Sequence, residues 1–404
     1  MLAKKSDPGP GRKRFLAVVS VLLSGAFAFV VAEVIVRLTF RYNTPDTVKA
    51  SSLQYVPTIF AQHRLKPNQD VNTEEGWGDR EDDGWAGHRY VINKQGYRGA
   101  DIAIPKPEPA CRIVILGGSA VFDVKASEDD TWPFLVERYL REKGYDTIEV
   151  VNGGVPGHAS FDSLGRLYSQ VWMFEPDIVL VYNVWNDIKF IRYIDGVGPV
   201  TPLLSIVRPF DDTANPFMNY LNSFDKLLSS SQIYVKLRVR YYQWKLQPRF
   251  EGKRPEGQPI NTTVGRLGLR QFRLNYELIV DTARNIGAVP VLLTQATLVT
   301  PDAGQEDRER IGYEYTQMDH ETLAAAFEDF NDVIRSVAQD KEAAYLDLDE
   351  EFSGRSELFV DHVHLTATGR MEIARRVGRF LESVLSETEQ CAFMATPSAE
   401  EGTE

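Results

Sequence analysis

Apolar positions follow two alternating periods along most of the chain, and this alternation predicts repeated βα units. Short apolar runs rich in β-branched residues, typical of buried strands, lie at 112–116, 148–151, 177–182, 289–296 and 343–348. Apolar residues spaced i, i+3, i+4 and i+7 predict helices at 132–143, after a capping Ser160, at 272–285, at 321–338 and from about His364 to just before Cys391. Strands that alternate with helices predict an α/β fold, a flavodoxin-like three-layer α/β/α sandwich with a parallel five-stranded sheet.

The amino-terminal 38 residues follow a different pattern. Residues 15–32 carry no charge, and at the helical rise these eighteen residues span roughly 27 Å, nearly the thickness of a bilayer's hydrocarbon core. Five basic residues precede them, which predicts a cytoplasmic tail at 1–14 and a transmembrane helix at 15–38. We therefore expect a single-pass protein of the inner cell membrane with its later residues in the periplasm. A cleaved signal peptide is the alternative, because Ala26-Phe27-Ala28 resembles a cleavage site.

Three further segments depart from the βα pattern. Residues 42–110 are polar and rich in glycine and aromatic residues, which predicts short strands and turns that end in a proline-rich linker. Residues 190–265 are too many for one helical crossover and predict an inserted cap. The acidic stretch 387–404 has few hydrophobic residues and predicts a disordered tail. The sandwich domain is thereby assigned to 111–386.

Four polar blocks come at or after the predicted strand ends. They are Gly-Gly-Ser at 117–119, Asn-Gly-Gly-Val-Pro-Gly at 152–157, Asn-Val-Trp-Asn-Asp at 183–187 and Asp-His-Val-His at 361–364. Ligands of open α/β sheets bind beyond the carboxyl ends of the strands, so we expect the four blocks to meet at one edge. A serine, a histidine with a nearby aspartate, an asparagine amide and a glycine N–H are the groups that acyl transfer requires.

Each group has a candidate role in that chemistry. Ser119 is the candidate nucleophile, His364 the base that takes its proton, and Asp361 the carboxylate that orients the base. The backbone N–H groups of Ser119 and Gly157, with the side-chain amide of Asn186, form the predicted oxyanion hole.

Neighbouring residues of these blocks have weaker assignments. His158 and Trp185 are candidate substrate-binding residues; a loop histidine without a role and a core tryptophan are the alternatives. His362 is expected to face away from Ser119, since neighbouring positions on a turn point in different directions. Asp187 is expected to orient the loop of Asn186.

In their order and residue types, the four blocks resemble those of the SGNH (GDSL-like) hydrolase superfamily, named for its serine, glycine, asparagine and histidine. The resemblance covers roughly 111–385 apart from the insertion, and it implies the SGNH hydrolase fold and the roles given above. The chain departs from the family pattern twice. Gly118 replaces the usual aspartate before the serine, and Val184 replaces the glycine two residues before Asn186.

The expected function is that of a membrane-anchored serine esterase with an acyl-enzyme intermediate. Its expected substrate is an O-acyl ester, chiefly O-acetyl, of an extracytoplasmic glycan or envelope component, or a small ester. Family resemblance and envelope placement alone motivate this substrate class. An O-acyltransferase for polysaccharide, with a sugar hydroxyl in place of water, is one alternative. A catalytically silent glycan-binding or scaffold protein is another, which Gly118 and Val184 leave open.

Net charge and sequence motifs limit the possible partners and cofactors. A net charge of −12 argues against a nucleic-acid partner. The pair of histidines beside Asp361 has no second ligand group at a characteristic spacing, and no dinucleotide or Walker motif occurs, so we expect neither metal nor cofactor.

Cys111 and Cys391 are expected to lie near each other at the sheet edge opposite Ser119. A disulfide there and two free thiols are equally weighted alternatives.

Overall fold

The structure is a computed structural model that describes residues 10–39, 53–56, 58–72, 88–194, 228, 231–234, 237, 264–316, 318–388 and 391. Most of the predicted inserted cap, the first nine residues of the basic tail and residues 392–404 lie outside the described residues.

The first element is a long apolar helix, α1 (Pro10–Thr39). Its apolar stretch Arg14–Leu38 is 25 residues long and contains an 18-residue window with a mean hydropathy of 2.6, and its side chains pack against little else in the protein. By length and composition it qualifies as a membrane-spanning helix or as a signal sequence. Near its end, Glu33 accepts hydrogen bonds from Arg37 Nε at 2.8 Å and from the backbone N–H of Gln232 at 2.7 Å.

The N-terminal region after α1 contains two antiparallel strand pairs. Strand β1 (Tyr55–Val56) pairs with β2 (Arg64–Leu65), and β3 (Gln69–Asn72) pairs with β4 (Arg89–Ile92). Their apolar side chains share one small core with the central domain, made of Leu53, Tyr55, Leu65, Val71, Tyr90, Ile92, Phe122, Val124 and Val155. The N-terminal region is therefore packed onto the segments that flank the predicted catalytic blocks.

The central sheet has the predicted parallel architecture. Its strands are β5 (Cys111–Gly117), β6 (Ile148–Gly154), β7 (Ile178–Tyr182), β8 (Val289–Leu293) and β9 (Ala344–Leu346), in the spatial order β6-β5-β7-β8-β9. All four neighbouring pairs are parallel, which confirms the five-stranded parallel sheet. Strands β5 and β7 are buried along their whole length, as expected where helices cover both faces of a sheet.

Helices cover the two faces of this sheet and complete the three-layer sandwich. They are α2 (Ser119–Phe122), α3 (Trp132–Glu142), α4 (Ser160–Ser169), α5 (Trp185–Ile194), α6 (Arg266–Asn285), α7 (Gln305–Glu309), α8 (His320–Asp340), α9 (Leu348–Phe352) and α10 (Ala367–Glu387). Successive strand residues point to opposite faces. Ile113 and Ile115 therefore pack against α3 and α10, whereas Val114 and Leu116 pack against α4, α6 and α8.

Several element boundaries differ from the sequence prediction. Strand β8 ends at Leu293 and not at 296, because the backbone of Gln295 exchanges two hydrogen bonds with the Asn331 side-chain amide. The predicted strand 343–348 ends at Leu346, since the Asp347 side chain caps α9 by accepting from Glu350 N. Helix α6 begins at Arg266, six residues before the predicted start at 272.

Two further corrections concern chain segments at the ends of helices. Ser160 is the first residue of α4 and not its cap, because its hydroxyl donates to Asp187 at 2.6 Å. The predicted disordered tail from 387 begins with residues that the structure places: Glu387 ends α10, and Cys391 lies beyond it in a disulfide.

The disulfide joins Cys111, the first residue of β5, to Cys391, with a Cα–Cα distance of 5.4 Å. It connects positions 280 residues apart at the sheet edge opposite Ser119. Among the described residues, Cys111, Asp177 and Cys391 are the one group of possible metal-ligating atoms close to one another. Both of its sulfurs are engaged in the disulfide.

Candidate active site

Ser119 lies at the sharp turn between β5 and α2, at the carboxyl edge of the sheet. Two glycines permit the close approaches around this turn. A Cβ at Gly117 would lie 2.5 Å from the Tyr182 carbonyl oxygen, and one at Gly154 would lie 2.0 Å from the Phe122 nitrogen. Because neither position carries a side chain, the backbone of α2 packs directly against β6, and the Ser119 hydroxyl is left at the rim.

The structure brings Ser119, His364 and Asp361 into hydrogen-bonding distance. His364 Nε2 lies 2.8 Å from Ser119 Oγ, and His364 Nδ1 lies 2.8 Å from Asp361 Oδ2. A carboxylate can only accept hydrogen bonds, so Nδ1 of His364 carries a proton. In the neutral ring, Nε2 is then free to accept a hydrogen bond from the serine O–H. This arrangement suits a base that takes the proton of a nucleophilic hydroxyl.

Asp361 is fixed by its own turn as well as by the ring. Its Oδ1 accepts hydrogen bonds from the backbone N–H groups of Val363 at 3.1 Å and His364 at 3.0 Å. Burial alone would raise the pKa of Asp361, but the His364 ring and these donors hold that pKa well below its usual value. The carboxylate is therefore ionised when it holds the imidazole.

The predicted oxyanion donors lie in the loop after β6 and at the start of α5. Among the described residues, the backbone N–H groups of Ser119 and Gly157 have no hydrogen-bond acceptor. Gly157 has φ +87°, a conformation that favours glycine. Asn186 Nδ2 donates to the His158 carbonyl oxygen at 2.8 Å, which leaves its second amide hydrogen available. A Cβ at Gly118 would lie 2.6 Å from that Nδ2, so the amide sits against the residue preceding Ser119.

Asp187 anchors the helix that carries Asn186. Its carboxyl group accepts from Ser160 N at 3.0 Å and from Ser160 Oγ, which in turn accepts from Asn275 Nδ2 at 2.8 Å. Burial raises the pKa of Asp187 to about 7. These contacts join the starts of α4 and α5. They agree with the expectation that Asp187 orients the loop of Asn186.

The ring of His158 does not face the cleft, which corrects its predicted contact with substrate. The residue is 1% exposed, and its Nε2 donates to the His63 carbonyl oxygen at 2.8 Å. Burial lowers the pKa of His158 well below its usual value, so the ring is neutral. Its contribution to the site is the backbone carbonyl that accepts from Asn186.

Trp185 and His362 form a packed aromatic group beside the triad. Their ring centroids are 3.8 Å apart, and the Trp185 ring also stacks on Phe327. Trp185 is only 6% exposed, so it is the core tryptophan of the two predicted alternatives and not a substrate-binding residue. Burial lowers the pKa of His362 to about 4, and the ring that accepts the hydrogen bond of the Ser119 hydroxyl is that of His364.

Several residues of the N-terminal region that contact these loops were not among the predicted site residues. Arg98 is buried and donates to the carbonyl oxygens of Phe122 at 2.6 Å and Ala126 at 2.7 Å. Gln62 and His63 contact the loop of Gly157. No motif marks these positions, and the loop lies more than ninety residues away along the chain.

Comparisons with known proteins place this geometry in context. The model of the GDSL-like lipase/acylhydrolase family matches residues 115–370. A solved lipase/acylhydrolase from Enterococcus faecalis is 16% identical, with 68% of this chain and 96% of that chain covered and a TM-score of 0.39. A putative lipolytic protein of the G-D-S-L family from Desulfitobacterium hafniense DCB-2 is 13% identical, with 67% and 98% covered and a TM-score of 0.37.

An acetyl xylan esterase from Geobacillus stearothermophilus is similar at 14% identity, with 68% and 96% covered and a TM-score of 0.39. No curated protein matches the chain.

Proposed function

Since the chain belongs to the GDSL-like lipase/acylhydrolase family, we propose that Ser119 is the nucleophile with which it hydrolyses ester bonds. The observation that carries this proposal is the distance of 2.8 Å between Ser119 Oγ and His364 Nε2, across 245 residues of sequence. A serine in such contact with a carboxylate-bound imidazole is the arrangement that activates a hydroxyl for attack.

The proposed reaction passes through an acyl-enzyme. His364 Nε2 takes the proton of Ser119 as Oγ bonds to the ester carbonyl carbon, and the carbonyl oxygen becomes an oxyanion. The N–H groups of Ser119 and Gly157 and the amide of Asn186 stabilise that charge. The tetrahedral intermediate expels the alcohol, which takes the proton from His364. Water, deprotonated by His364, then attacks the acyl-enzyme, and His364 returns that proton to Oγ as the carboxylic acid leaves and Ser119 is freed.

We infer that the enzyme acts outside the cytoplasm. Helix α1 is long and apolar enough to anchor it in the inner membrane, and the basic residues before this helix favour a cytoplasmic amino terminus. A disulfide between Cys111 and Cys391 suits the oxidising periplasm. In that compartment, an O-acylated glycan or envelope component is the proposed substrate, with O-acetyl as the proposed acyl group.

A serine-directed fluorophosphonate probe, applied to the full chain in detergent, tests the nucleophile. We expect labelling of the wild type and none of Ser119→Ala. Labelling of both proteins would reject Ser119, and labelling of neither would favour a catalytically silent glycan-binding protein. Turnover of p-nitrophenyl acetate that rises only when a sugar acceptor is added would instead favour an O-acyltransferase.

A matched pair of histidine variants tests the base. His364→Gln should lower kcat by at least about 100-fold, because it removes the general base. His362→Phe keeps a ring packed against Trp185 and should retain most of the wild-type kcat. Equal losses of kcat in the two variants would show that His364 is not the general base.

A further inference from the structure

A short segment of the N-terminal region, residues 58–63, lies against the loop that contains Gly157. His63 Nε2 lies 3.1 Å from the Pro156 carbonyl oxygen, and since a carbonyl only accepts, the ring nitrogen donates. Gln62 Nε2 donates to Asp162 Oδ2 at 2.8 Å and, at 3.5 Å, more weakly to the Gly157 carbonyl oxygen. Two successive carbonyl groups of the loop are thus held from one side.

The same segment is fixed on the helix that follows the loop. A Cβ at Gly165 of α4 would lie 1.6 Å from the Phe60 carbonyl oxygen, so only a glycine lets the two backbones meet there. The Phe60 and Tyr168 rings pack edge to face, with centroids 4.9 Å apart. Asp162 also accepts from the backbone N–H of Gln62 at 2.7 Å. The segment is therefore held by packing and hydrogen bonds that do not depend on the loop.

The imidazoles in this contact are neutral donors. His63 is 5% exposed, and burial together with the neighbouring His158 lowers the pKa of His63 to about 3. The rings of His63 and His158 pack with centroids 4.9 Å apart, and the His158 ring donates back to the His63 carbonyl oxygen. Each histidine thus positions the backbone of the other segment.

This contact bears directly on the oxyanion hole because a peptide group is planar. The Pro156 carbonyl and the Gly157 N–H belong to one trans peptide, so they point in opposite directions within the same plane. A donor that holds the Pro156 oxygen therefore also sets the direction of the Gly157 N–H. Gly157 cannot hold that plane by itself, since glycine is the residue with the least conformational restriction.

We propose that His63 is a positioning residue of the oxyanion hole, which holds the 156–157 peptide so that the Gly157 N–H faces the reacting carbonyl. The inference rests on the proposed function of Ser119 and Gly157. Gln62 supports the same loop one peptide further on. The N-terminal region is thereby a working part of the active site.

Steady-state kinetics on p-nitrophenyl acetate with the full chain test this proposal. His63→Phe keeps a ring of similar size but removes the donor, and it should lower kcat by about 10- to 100-fold with KM unchanged, as expected for a misplaced transition-state donor. His63→Gln retains a donor and should recover part of that loss. Gln62→Ala should lower kcat in the same direction, and it decides the matter if His63→Phe does not fold.

Gln69→Ala is the matched control. Gln69 is a buried glutamine of the same region, but among the described residues its amide hydrogen-bonds only to the backbone of Gln54 and Lys66. It should keep the wild-type kcat, whatever the change in its thermal unfolding midpoint. Wild-type kcat in folded His63→Phe, or an equal fall in Gln69→Ala, would overturn the inference. Failure of the proposed function would look different: the wild type itself would then resist the fluorophosphonate probe.

Discussion

A methyl group at position 118 should strongly lower the activity of the enzyme, although this position carries a larger side chain, aspartate, in the family pattern. In this structure the Cβ of Gly118→Ala would lie 2.6 Å from Asn186 Nδ2 and 2.8 Å from the His158 carbonyl oxygen. These two atoms are already hydrogen-bonded to each other at 2.8 Å. The methyl group would therefore press on both partners of the bond that orients the Asn186 amide.

The size of the effect follows from these distances. Ordinary van der Waals contact begins at 3.4 Å, so the amide nitrogen must move by 3.4 − 2.6 = 0.8 Å. A displacement of this order at a catalytic group costs roughly 100-fold in rate. Complete loss of one oxyanion donor costs about 100- to 1,000-fold in kcat, or about 3–4 kcal/mol. Gly118→Ala should fall in that range with little change in KM, and Gly118→Asp should do no better.

The assay is a double-mutant cycle on p-nitrophenyl acetate with Gly118→Ala, Asn186→Ala and the combined variant. If Gly118→Ala acts through the amide, the combined variant should be no slower than Asn186→Ala, because the displaced group is already gone. Gly304→Ala is the control, since its Cβ would have no atom of the described residues within 4 Å apart from those of its chain neighbours. Wild-type kcat in Gly118→Ala, or losses that multiply in the combined variant, would refute the reasoning.

Two further predictions concern stability. Replacing Cys111 and Cys391 together by serine should lower the free energy of unfolding by about 2–5 kcal/mol, because the disulfide closes a very long loop. The kcat of this double variant should be unchanged, because the disulfide lies at the sheet edge opposite Ser119. Two titratable thiols in the denatured, unreduced wild type would show that the disulfide does not form. The buried, neutral His63 should make the wild type sensitive to acid. Its pKa is about 3 when folded and 6.5 when unfolded, so its stabilising contribution is complete above pH 6.5 and is lost as the pH falls towards 3. Between pH 7.5 and 5, urea titrations should show the wild type losing about 2 kcal/mol more than His63→Phe, and parallel losses would argue against a neutral His63.

The amino-acid sequence was enough to predict the architecture and the candidate groups that lie together at one edge of the sheet. The spacing of apolar residues in a strand or helix is visible within a few consecutive residues. Strands that are buried on both faces form continuous apolar runs, and such runs predict a parallel sheet, as in β5 and β7. The ends of parallel strands meet at one edge, so Ser119, Asn186 and the Asp361–His364 turn could be grouped before their geometry was known. Boundaries were less well predicted, because side chains such as Asn331 and Asp347 compete with strand pairing for backbone groups.

The packing of distant segments sets how these candidate groups are held. The contact of His63 with Pro156 joins residues 93 positions apart, and the closeness of Gly118 to Asn186 depends on how β5 and α5 pack. Neither contact leaves a periodic or motif signal, since each partner alone is an ordinary loop residue. His158 shows the same limit: its place beside Gly157 suggested a substrate contact, whereas packing turned its ring into the protein interior. Local patterns record which face of an element is buried, and the orientation of one side chain or peptide is set by distant atoms that pack against it.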